Sequence, residues 1–68
     1  MAEALANRLK DRRTELGLTQ AELAERCGVS RKTVNTVENG VFVPSTLLAL
    51  KLALALDRKV EELFWIES

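Results

Sequence analysis

Sixty-eight residues suffice for one small domain, 1–68, and leave little for a sensor or a catalytic module. Ten Lys and Arg balance ten Asp and Glu, and a 47% apolar content with only two Phe and one Trp describes an aliphatic core. No apolar run approaches the ~20 residues of a bilayer span. The start, MAEALANRLK, lacks a signal-peptide core, and one Cys cannot form an internal disulfide. A cytoplasmic protein without a membrane association is expected.

The spacing of apolar residues predicts helices throughout. The first is expected from about Ala2 to Leu16, with Leu5, Leu9 and Leu16 inward and Gly17 as its stop. Two short helices follow, about Gln20–Cys27 and Arg31–Asn39, the second ended by Gly40. The loop Val41-Phe42-Val43-Pro44 leads to Ser45, an N-cap for a fourth helix of about Thr46–Leu56. A short fifth helix, Val60 to Phe64, should close the core with Val60, Leu63 and Phe64. No segment alternates as a strand would, so the expected class is all-α.

The second and third helices carry the most information. Thr19 and Glu22 have the spacing of a capping box, in which each satisfies an amide of the other's residue. Leu23, Ala24 and Cys27 then share one face, and Ala24 is small where another helix must cross closely. Gly28 suits a left-handed C-terminal position. Val29 is an apolar turn residue, Ser30 restarts the chain as an N-cap, and Val34 and Val37 anchor the next helix inward. Cys27 lies on the apolar side of its helix and is expected to be a packed thiol rather than a redox sensor.

This arrangement resembles a DNA-binding helix-turn-helix spanning about residues 20–39, with Gln20, Ala24, Gly28, Val29, Val34 and Val37 at the characteristic spacing. TQxELA, GVSRxTV, VENG and VPS, in that order, make nearly the whole chain similar to the phage repressor and Cro-like (Xre-type) transcriptional regulators. The similarity is greatest to short members that consist of this domain alone. It implies a compact five-helix, lambda-repressor-like fold.

With Val34 and Val37 inward, a turn of about 100° per residue points Lys32, Asn35, Thr36 and Asn39 outward, with Arg31 at the leading end. That face is polar, short and free of acids. It suits a major groove, where Arg and Lys donate to guanine and Asn pairs with adenine; the alternative is an ordinary solvated surface. The resemblance implies that Arg31, Lys32 and Thr36 touch base edges. Thr19 and Gln20 stand at a helix N-terminus, where amides and dipole attract an anion, and the resemblance implies a phosphate clamp there. It implies a second clamp at Asn39 and the Gly40 amide, and a buried structural ion pair between Arg13 and Glu38. Arg8, Lys10 and Arg12 are weaker candidates for phosphate contacts.

Charge distribution is compatible with this reading. Residues 1–34 hold seven Lys/Arg against five Asp/Glu, and residues 35–68 hold three against five. A local basic patch can meet phosphates while overall neutrality limits non-specific binding.

Two departures from the family's pattern stand out. The loop after the ENG, Val41-Phe42-Val43, is apolar where relatives often carry cations, so neither minor-groove contact nor any other loop contact with DNA is expected from this segment. The fourth helix is apolar around nearly its whole circumference, interrupted by Lys51. Phe42, Leu47, Leu54, Trp65 and Ile66 are therefore candidates for a homodimer surface; alternatively the tail folds back over Leu54 within one chain. There is no His, no Tyr, no metal-ligand cluster and no phosphate-cradling glycine loop, so neither catalysis, a metal nor a cofactor is expected.

The expected function is sequence-specific binding of double-stranded DNA at a palindromic operator, as a homodimeric repressor. The alternatives are an antitoxin-like module of the same fold that binds a protein partner, and a helical domain with no nucleic-acid role.

Overall fold

The computed structural model describes residues 3–68. In chain order it contains β1 (Ala4–Asn7), α1 (Leu9–Glu15), α2 (Gln20–Cys27), α3 (Arg31–Glu38), α4 (Thr46–Leu56), α5 (Val60–Leu63) and β2 (Phe64–Glu67). Five helices surround one aliphatic core in which Leu9, Leu23, Leu52, Leu56 and Leu63 are fully buried. Each such side chain contributes about 1.5–3 kcal/mol relative to exposure.

The chain's beginning differs from the expected long helix. Ala2, its expected start, lies outside the described residues. Ala4–Asn7 is a strand, paired antiparallel with β2 in the register Ala4↔Glu67 to Asn7↔Phe64. Asn7 separates strand from helix. Its Oδ1 accepts from the Leu9 amide at 3.1 Å, and its Nδ2 donates to the Val37 carbonyl at 3.0 Å. The Arg8 amide donates to the Leu63 carbonyl at 3.0 Å, continuing the pairing to the edge of α1. Ala and Leu favour helix locally, but pairing with the aromatic and β-branched Phe64-Trp65-Ile66 overrides that preference.

Other boundaries follow local chemistry. α1 ends at Glu15, and Gly17 turns the chain at φ +70°. Leu16 is thereby left on the surface, contrary to expectation, and Leu18 packs into the core instead. The Ser45 hydroxyl accepts from the Leu48 amide at 3.1 Å and starts α4; Asp57, left-handed at φ 53°, ends it. α5 stops at Leu63 because Phe64 is already extended and opens β2. Phe64 still belongs to the core, with Val60 packed against it.

The tail does not cover α4. It runs back along β1, and Leu54 remains 83% exposed. No helix among the described residues is long and apolar enough to cross a membrane.

Candidate nucleic-acid interface

The pairing of α2 with α3 is fixed by its ends. The Glu22 amide donates to Thr19 Oγ1 at 3.0 Å, and the Thr19 amide donates to the Glu22 carboxylate at 2.9 Å. The hydrogen bond from the Thr19 amide, followed by that with its side chain, holds the Glu22 carboxyl below its ordinary pKa. Gly28 ends α2 at φ 68°, and the Val29 amide reaches back to the Ala24 carbonyl at 3.0 Å. Ser30 accepts the Thr33 amide at 3.2 Å and starts α3. Between the helices lie Leu23, Ala24, Cys27, Val34 and Val37, all buried. Cys27 is a free thiol in this layer, and burial pushes its pKa up.

The turn therefore presents α3 with Val34 and Val37 inward and the opposite side open. Arg31 and Lys32 are exposed at its leading end, Asn35 and Thr36 half-buried along its middle, and Asn39 exposed at its close. Glu38, the one acid of the helix, is turned away from that side, with its side chain 3% exposed. Arg13 grips it with two bonds, Nε to Oε2 at 2.7 Å and Nη2 to Oε1 at 3.1 Å, and also donates Nη1 to the Leu18 carbonyl at 2.9 Å. The hydrogen bonds to Glu38 raise the Arg13 pKa against the opposing effect of burial.

This ion pair continues outward through Gln20. Its Nε2 donates to Glu38 Oε1 at 3.1 Å, which fixes the amide with its oxygen toward α3. Arg31 Nη1 and Asn35 Nδ2 approach that oxygen at 3.5 Å each, and Asn39 Nδ2 donates to Asn35 Oδ1 at 3.3 Å. Both hydrogen-bonding ends of the Asn35 amide are thus engaged within the protein. The Thr36 hydroxyl donates to the Thr33 carbonyl at 3.0 Å. Arg31 and Lys32 retain the most donor capacity on this face.

The anion-binding candidates divide as well. The amides of Gln20 and Ala21 begin α2, where a helix supplies no carbonyl partner. The Gly40 amide, in contrast, donates to the Val37 carbonyl at 3.1 Å, and Asn39 is left to act through its side chain. Arg12 Nε donates to the Leu56 carbonyl at 2.8 Å, so that cation closes the end of α4. Arg8 lies 4.8 Å over the Trp65 ring.

The five apolar surface candidates do not form one patch. Leu54 lines an open groove of about 730 Å³ with Leu5, Pro44, Ala49, Leu50 and Phe64. Leu47 continues its line along α4, one turn before Leu50. Ile66 sits opposite Leu5 in the ribbon and shares its side, whereas Trp65 faces the other way beneath Arg8. Phe42 stands between the two regions, sharing a hollow with Leu5, Pro44 and Phe64 and another with Lys32 and Thr36. Leu50, half exposed, was not singled out from the sequence, although its spacing of three from Leu47 and four from Leu54 carried that signal.

Comparison with known proteins agrees with this architecture. Residues 9–63 match the helix-turn-helix family model. The chain is 44% identical over 64 residues to the uncharacterized HTH-type transcriptional regulator YgzD of Bacillus subtilis, covering 94% of this chain and 97% of that one. It is 47% identical over 61 residues to an uncharacterized HTH-type transcriptional regulator of Methanothermobacter thermautotrophicus, covering 88% of each. The crystal structure of the restriction-modification controller protein C.AhdI from Aeromonas hydrophila superposes with a TM-score of 0.76 at 42% identity, covering 79% of this chain and 82% of that one. The chain belongs to the helix-turn-helix family of Cro-like, Xre-type DNA-binding transcriptional regulators.

Proposed function

We propose that the protein binds a palindromic duplex operator as a homodimer in the cytoplasm and represses transcription by occupying it. In this reading α3 lies in the major groove, with Arg31 and Lys32 at base edges and Thr36 contributing a shorter contact. Gln20, Thr19 and the first amides of α2 hold one phosphate, and Asn39 approaches another. The observation that carries the reading is the charge of α3: two exposed cations lead its outer side, while its single acid is turned inward onto Arg13.

The dimer is supported by α4. Leu47, Leu50 and Leu54 form an exposed apolar line that nothing among the described residues covers. A symmetric pair would cover it twice and set two copies of α3 against successive turns of the duplex. Trp65, facing away, has no part in that contact. The same line also favours a second reading, an antitoxin-like module that caps another protein.

Selection from random duplexes tests the proposal. A palindromic preference whose affinity falls steeply with salt supports it. A protein that copurifies with a tight partner through high salt and enriches no duplex sequence belongs to the second reading.

A further inference from the structure

We propose that the hollow between α3 and the loop after it receives the C5-methyl group of a thymine, so that Val41 and Phe42 add base discrimination to α3. The inference rests on α3 lying in the major groove.

The sequence places Val41-Phe42-Val43 where a loop beside phosphates would ordinarily carry cations, and the fold does not bury them. Val41 is 78% exposed, Phe42 48% and Val43 68%. Val41 and Phe42, next to Lys32 and Thr36, thereby offer an apolar surface beside the proposed reading face.

The loop is also held in place. Gly40, at φ +73°, turns the chain back, and the amides of Val41 and Phe42 both donate to the Thr36 carbonyl, at 2.9 and 3.2 Å. These bonds fasten the loop to a residue of the outer side of α3. Between them lies an open hollow of about 320 Å³, lined by Lys32, Thr33, Thr36, Val41 and Phe42.

The chemistry of that wall is selective. The Thr36 hydroxyl is donated to the Thr33 carbonyl at 3.0 Å, and the Thr33 and Ser30 hydroxyls bond each other at 3.0 Å. The two loop amides are committed as well. What remains for a ligand is chiefly methyl groups, an aromatic ring, the aliphatic stem of Lys32 and its ammonium, with the Thr33 and Thr36 oxygens still able to accept. Of the groups exposed in a major groove, the thymine methyl is the apolar one. The hollow has room for that methyl and the base edge that carries it, next to Lys32, which can donate to a neighbouring guanine.

The test uses the duplex enriched by selection. Each thymine of one half-site is replaced singly by deoxyuridine, which removes the methyl and keeps every hydrogen-bonding group. Affinities of the unmodified protein, Phe42→Ala and Phe42→Leu are measured by fluorescence anisotropy at one salt concentration. At one position the loss of the methyl should weaken the unmodified protein about fourfold, the worth of one buried methyl. Phe42→Ala should bind the two duplexes equally, and Phe42→Leu, still apolar, should keep most of the discrimination. Circular dichroism checks that both variants fold.

The proposal is overturned if no uracil duplex is bound more than about twofold more weakly, or if the discrimination survives in Phe42→Ala. Should the protein enrich no sequence at all, both this inference and the reading of α3 fall. A selected sequence that depends on Arg31 but is indifferent to the methyl removes the inference alone. Loss of self-association in Phe42→Ala without a change in base preference would also overturn it and assign the loop to a protein contact.

Discussion

Glu38 shows how one side chain ties the core ion pair to the polar network along α3. Its carboxylate neutralises Arg13 and, through Oε1, orients Gln20. Removing it leaves a cation with a 13% exposed side chain, no opposite charge and the Leu18 carbonyl alone as acceptor, which costs about 3–5 kcal/mol for a buried pair. Glu61 is exposed and has no such partner, and its loss is worth less than about 0.5 kcal/mol. Urea midpoints should therefore fall strongly for Glu38→Ala and hardly at all for Glu61→Ala; equal midpoints would show that the pair contributes no net stability. Glu22 gives a pH signature. Its carboxyl is held below its ordinary pKa, so the stabilisation from its charge is complete above the ordinary carboxylate range and is lost as pH falls through the lowered value. The stability difference between the unmodified protein and Glu22→Gln should shrink on acidification, as read from urea midpoints across that range. A difference that stays constant down to the lowest pH would detach the capping box from the charge of Glu22.

At the scale of elements, α2 and α3 take separate tasks in the proposed reading. Gln20→Ala should weaken binding about equally on all duplexes, because backbone contacts carry little sequence information. Competition assays with selected and scrambled duplexes measure this, and a changed preference at unchanged general affinity would instead make Gln20 a reader. The helices were legible because their signals are local: Thr19, Ser30 and Ser45 as caps, Gly28 and Gly40 as stops, and apolar residues three and four apart. The ribbon was not legible, because its stability lies in a pairing between residues about sixty positions apart. Ala4-Leu5-Ala6 carries a helical preference of its own, and only the opposite strand and the two bonds of Asn7 reverse it. Within the interface, the outward set on α3 could be read from helical period, whereas the engagement of Asn35 by Gln20 and Asn39 could not. It depends on an amide orientation that Glu38 sets at Gln20 and that Gln20 passes to Asn35.

For the whole molecule, the question is how a chain of this size selects a site among many. One α3 spans too few base pairs, and a two-fold pair doubles the number read. Because Leu54 touches so little of its own chain, Leu54→Glu should leave the helical signal nearly unchanged, and in the proposed dimer it should shift sedimentation from dimer to monomer. A symmetric contact meets the substitution twice, so operator affinity should fall sharply. An unmodified protein that stays monomeric at high concentration and on its duplex would remove the dimer. The central claim, that the outer side of α3 reads sequence, is tested most directly by repeating the selection from random duplexes with Arg31, Lys32 and Thr36 all replaced by Ala. The account predicts that the triple variant folds, keeps weak salt-sensitive binding and loses the preferred sequence, with each cation worth about 1–3 kcal/mol on that site. Enrichment of the same sequence by the triple variant would contradict it.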